Sequence, residues 1–127
     1  MRTDFSRDRG LAPLLFCSTY VKRIALVVLL AVIACSSPER EAAEARDTVA
    51  SWSSAGALLA TEWTRGHVND GYVKSTARVA IGELQGLEAP SRDAALRAWN
   101  ELERAAERGD REAARGLVTA FRKAAER

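Results

Sequence analysis

Residues 91–125 read SRDAALRAWNELERAAERGDREAARGLVTAFRKAA, and this stretch decides the fold. Its apolar residues fall first at Ala95, Leu96, Trp99, Leu102 and Ala106. They resume at Ala114, Leu117, Val118, Phe121, Ala124 and Ala125. Spacings of three and four gather each set on one face of a helix, and arginine and glutamate fill the opposite faces. Ser91 stands where the first helix would be capped. Gly109-Asp110 between the sets is a C-terminal glycine followed by an N-cap acid. The stretch therefore predicts helices over about 92–108 and 111–125, joined by a tight break.

Upstream the same grammar repeats. Ala42, Ala45, Val49, Trp52, Gly56, Leu59 and Trp63 form an unbroken 3-4-3-4 series, which predicts a long helix over about 39–65. Trp52 and Trp63 are eleven residues apart, close to three turns, so they share one face. Pro38 suits a first helical turn, and Glu39, Glu41 and Glu44 complement the dipole there. Residues 66–70, Gly-His-Val-Asn-Asp, read as a turn with Asn69 or Asp70 as the next N-cap. A further helix over about 71–86 presents Val73, Ala77, Ala80, Ile81, Leu84 and, at its end, Leu87, with Gly86 and Pro90 stopping it. No segment alternates with the period of a strand. The expected fold is all-α: a small antiparallel four-helix bundle over residues 39–127, behind an N-terminal signal segment. Its alanine-rich core should bring the helices close, with Trp52, Trp63 and Trp99 supplying much of the buried area.

The signal segment is read from Ile24 to Ala34, where every residue is apolar and Lys22-Arg23 stands immediately before. This is the basic and apolar pairing of a secretory signal. A bilayer-spanning helix needs about 20 apolar residues, and Lys22-Arg23 blocks fusion with the shorter apolar run at 11–16. A single uncleaved span is the alternative. The net charge of +2 is concentrated here. Residues 1–34 hold Arg2, Arg7, Arg9, Lys22 and Arg23 against Asp4 and Asp8, a net +3, which leaves the remainder at −1. The domain itself is thus near neutral and makes no case for nucleic acid.

The apolar run ends in Val32-Ile33-Ala34-Cys35. These four residues resemble the lipobox of bacterial lipoproteins, in which an aliphatic residue and two smaller ones precede an invariant cysteine. The resemblance covers these positions only. It implies that the Cys35 thiol becomes a thioether to diacylglycerol, and that cleavage falls between Ala34 and Cys35. Lipid on Cys35 would then tether the protein to a membrane, since each buried methylene adds about 0.8 kcal/mol. In Gram-negative bacteria the family's sorting rule, applied to Ser36, implies the outer membrane, facing the periplasm. The other reading of Cys35 is a buried cysteine that happens to end an apolar segment.

The lysines are only Lys22, Lys74 and Lys123 among 19 basic residues, which points to a GC-rich coding sequence. In such sequences GTG, a valine codon, is a frequent start. Val21 directly precedes Lys22-Arg23, so translation is expected to begin there rather than at Met1. Residues 1–20 would then be an extension upstream of the true start, 21–34 the signal peptide, and 35–38 the lipidated cysteine and spacer. Cys17 would be lost and Cys35 consumed, leaving no disulfide.

Catalytic and cofactor chemistry is poorly provided for. His67 is the lone histidine, in an interhelical turn, and reads as a solvated residue. Without a second histidine or a free thiol no metal site is expected, and no cofactor. Glu101, Glu103, Glu107 and Glu112 interleave with arginines, and Arg97–Glu101 and Glu107–Arg111 have the spacing of surface ion pairs. Ser51, Ser53 and Ser54 have no partner base. Arg111, Arg115 and Arg122, with Lys123 and Arg127, form a basic stripe that reads as a solvated face, or alternatively as a contact for lipid phosphates.

The expected function is therefore a membrane-tethered, non-enzymatic module that binds or scaffolds another envelope protein. Its signature would be an apolar patch left uncovered near Tyr72 or Trp63. The alternative is a lipid- or small-ligand-binding bundle, which requires an internal cavity. Neither a particular partner nor an oligomeric state follows from the sequence. Intact-mass analysis of the unprocessed precursor should show a chain beginning at position 21; peptides spanning Asp4 to Arg9 would contradict that start.

Overall fold

A computed structural model describes Ile24 and residues 37–126. The expected cleavage site at Ala34 and Cys35, the expected start at Val21 and the basic pair before the apolar run all lie outside the described residues. The chain divides after Ser37, and Pro38–Arg127 forms one compact unit. That unit holds α1 (Pro38–Thr64), α2 (Asp70–Gln85), α3 (Arg92–Arg108) and α4 (Arg111–Ala125). No described residue is in a strand.

Local chemistry fixes most of the helix ends. Gly66, at φ +81°, closes α1: its N–H reaches the Trp63 carbonyl at 3.0 Å, and the His67 N–H reaches Glu62 at 3.0 Å. That is the paired arrangement a left-handed glycine makes possible. Of the two candidates for the next cap, Asn69 takes the role; its side chain accepts the Tyr72 N–H at 2.8 Å, and Asp70 is already helical. Gly109, at φ +65°, ends α3, and Asp110 accepts the Ala113 N–H at 3.1 Å to start α4. Ser91 departs from expectation. It occupies the cap position of α3 without a side-chain bond, because its backbone is helical (φ −89°, ψ −3°) rather than extended. The Arg92 guanidinium ties that corner instead, donating to the Leu87 carbonyl at 2.9 Å.

α1 packs mainly on α4, α2 on α3, and α3 on α4, while α1 meets α2 and α3 lightly. Position 56 faces Phe121 and position 66 faces Arg111, so α1 and α4 run antiparallel. Arg78 bonds Glu103 and Asp70 lies beside Gly109, so α2 and α3 do too. The core is built on Val49, Leu59, Trp63, Val73, Leu84, Trp99, Leu102 and Phe121, with alanines filling the gaps between helices. Trp52 is half-buried, its ring 6.0 Å from that of Trp99 and edge-on, and Trp99 is 5.0 Å from Phe121. Ala42, expected on the inward stripe, is exposed. With 27 residues against 15, α1 outruns α4, and among the described residues its first turns have beside them the 86–88 connection rather than a helix.

The opposite end is knotted around one carboxylate. The indole N–H of buried Trp63 donates to Asp70 Oδ1 at 2.8 Å, and the Arg111 guanidinium lies 3.9 Å from the same oxygen. This links the end of α1 to the starts of α2 and α4. Asp70→Ala should cost about 1–3 kcal/mol in urea unfolding by leaving the indole N–H unpaired. In a Trp63→Phe background the same substitution should cost distinctly less.

Candidate functional site

α2 turns Val73, Ala77, Ala80 and Leu84 into the core. The helical period therefore places Tyr72, Ser75, Val79 and Gly82 on the outward side. Tyr72 and Val79 are each 57 % exposed, two turns apart on one line. Between them the Ser75 hydroxyl donates to the Tyr72 carbonyl at 3.0 Å, which removes much of its polarity from the surface. A Cβ at Gly82 would meet nothing within 4 Å. Glycine inside an exposed helix costs about 1 kcal/mol relative to alanine, and nothing within the bundle requires it at this position. The edge of this face toward α3 is set by Arg78, which donates to Glu103 Oε1 at 2.7 Å. That hydrogen bond, with the charge of Glu103 behind it, raises the guanidinium pKa.

Trp63, the other residue nominated for an uncovered patch, is fully buried. Val79 was missed, as was Leu58, which is 64 % exposed. Leu58 sits in an open groove of about 460 Å³ between α1 and α4, with Ser54, Thr61, Glu62, Arg65 and Arg122 around it. The only sequence signal for Val79 was its seven-residue offset from Tyr72. Leu58 had none, because its neighbour Leu59 takes the inward position.

The charged groups are arranged differently from the expected helical pairs. Arg97–Glu101 and Glu107–Arg111 do not pair among the described residues; Arg111, at the start of α4, turns instead to Asp70, at the start of α2, 3.9 Å away. Arg115 pairs with Glu112 at 2.9 Å. Two members of the basic stripe are thus neutralised within the fold. Arg122 and Lys123 have no ion-pair partner among the described residues, and Arg127 lies outside them. His67 is exposed, yet its Nδ1 lies 2.6 Å from Glu62 Oε2, while Arg65 holds Oε1 at 3.0 Å. The hydrogen bond from His67 is the main cause that lowers the Glu62 pKa, and the charges of His67 and Arg65 act in the same sense against partial desolvation.

Of the three serines on α1, Ser54 donates to the Ala50 carbonyl at 2.9 Å and Ser51 is exposed. Ser53 is buried, and its hydroxyl, like the Trp99 indole N–H, has no hydrogen-bond partner among the described residues. Among the described residues no three His, Cys, Asp or Glu side chains converge as a metal set would. No described helix is long and apolar enough to cross a membrane.

Because the folded state holds Glu62 below the usual carboxylate range, it binds that proton more weakly than the unfolded chain. The resulting stabilisation is complete above the ordinary carboxylate value and is lost as pH falls through the lowered one. Glu62→Gln should therefore melt below the wild type at neutral pH, and the gap should close in acid. A gap independent of pH would contradict this. Compared with known proteins, the chain matches no family, no curated protein and no solved structure.

Proposed function

We propose that the chain is a bacterial lipoprotein, anchored by lipid on Cys35, whose helical bundle binds another protein of the cell envelope through the outer face of α2. The observation that carries the reading is the uncovered line of Tyr72, Ser75, Val79 and Gly82. Two large apolar side chains stand on a helix whose inward face is already satisfied. The small residues beside them let a partner backbone approach closely, and tyrosine offers broad contact area at little entropic cost.

The anchor and the docking face are separate devices in this reading. Cys35 and Ala34 supply attachment, and Ser36 directs the protein to the outer membrane in a Gram-negative host. The bundle supplies recognition without chemistry of its own.

Two experiments test the two halves. Metabolic labelling with palmitate should mark the wild type, and Cys35→Ser should lose the label and leave the membrane fraction. A photo-crosslinking residue at position 79 should give a discrete adduct in cells that one at Glu112 does not, and Tyr72→Glu should abolish it. Equal adducts from both positions would rule out the α2 face as the docking surface.

A further inference from the structure

We propose that two copies of the chain pair reciprocally, the overhanging start of α1 in each lying in the outer α3–α4 groove of the other. The overhang follows from register. Gly56 against Phe121 and Gly66 against Arg111 bring Ala125, the last residue of α4, level with residue 52 of α1. Residues 38–48 therefore run on past the end of α4, a length of about 16 Å at 1.5 Å per residue. Among the described residues the apolar line of α1 is only partly covered in this stretch: Ala45 is buried, but Ala42, beside Gly86 and Leu87, is exposed and Ala43 half-buried. Glu39 stands one turn before them on the same side. The stretch carries Glu39, Glu41, Glu44 and Asp47 against Arg40 and Arg46, so it is acidic.

The receiving surface is the shallow groove of about 370 Å³ along the outside of α3 and α4. Its floor is Ala94, Ala98, Ala120 and Ala124, and its rim carries Arg97 and Lys123. An alanine floor lets another helix approach closely, and neither cation has an ion-pair partner among the described residues. A carboxylate, Glu101, interrupts the basic rim. That mixture suits a helix carrying both signs with acid in excess, as the overhang does, better than it suits a sheet of phosphates. Groove and overhang belong to the same end of the bundle, the end where α1 and α3 begin and α4 finishes. Each copy can thus give and receive, and a two-fold pairing closes without leaving free ends.

The test is sedimentation of the full chain in mild detergent, independent of any partner bound by α2. The wild type should be a dimer that dissociates as salt rises from ~50 mM to ~500 mM, because the rim charges are exposed and screened. Lys123→Glu and Glu39→Lys should each weaken association about tenfold or more by setting like charges together. Combined, they should restore most of it, which also shows that neither change acts by unfolding the bundle. Three results would overturn the pairing: a wild type that stays monomeric at ~100 µM, a dimer indifferent to both reversals, or a double variant no tighter than the singles.

Discussion

The bundle rests on the close approach of α1 to α4 at Gly56. A Cβ built at that position would fall 2.5 Å from the Phe121 ring, closer than packed carbon atoms tolerate. The missing side chain lets Phe121 seat flat against the α1 backbone. From there the aromatic contacts extend edge-on to Trp99 and, through Trp99, to Trp52. α1 and α4 are the first and last helices of the 38–127 unit, and their contact closes the bundle. It also covers Trp99 on α3, which in turn carries α2. A domain this small has little other apolar surface to spend, so displacement at one contact spreads through the core.

That architecture also explains why α2 has a free outer face. α2 leans on α3 and touches α1 lightly, so its apolar need is met by Val73, Ala77, Ala80 and Leu84. Tyr72 and Val79 add nothing to the interior, and Gly82 weakens the helix without an internal reason. Residues held at a cost to the isolated fold are the ones for which an external contact is the natural account. The α1 overhang follows the same logic at the other end, where its alanines continue an apolar line beyond the last turn of α4.

Much of this was legible in the chain. The periodicity of Ala95 to Ala125 and the Gly109-Asp110 break gave the hairpin, and the run from Ala45 to Trp63 gave α1. What failed depended on partners that periodicity does not see. Ala42 continues the stripe of α1, but whether it is buried depends on the length of α4. Glu107 and Arg111 have the right spacing, yet Arg111 turns to a carboxylate across the corner, Asp70. Trp63 and Tyr72 both read as candidates for exposure, yet Trp63 ends the inward stripe of α1 and is fully buried, its indole N–H satisfied by Asp70. Val79 and Leu58 were hidden because one apolar residue on a helix reads the same whether it faces core or solvent. Ser91 failed for a backbone reason, since a good capping residue in a helical conformation cannot aim its hydroxyl at the first turn.

The bundle depends on the space at Gly56, and the unfolding free energy of Gly56→Ala beside that of Gly82→Ala tests this most sharply. Both replace a helical glycine, so propensity alone would stabilise each by about 1 kcal/mol. At Gly82 the methyl enters open space, and the gain should appear. At Gly56 it meets a fully buried ring, and overpacking of about 1–3 kcal/mol should outweigh the gain. The two signs should be opposite, with Gly82→Ala more stable than wild type and Gly56→Ala less. Stabilisation by both substitutions would contradict it, because the close seat of Phe121 on α1 would then not be what holds the bundle together.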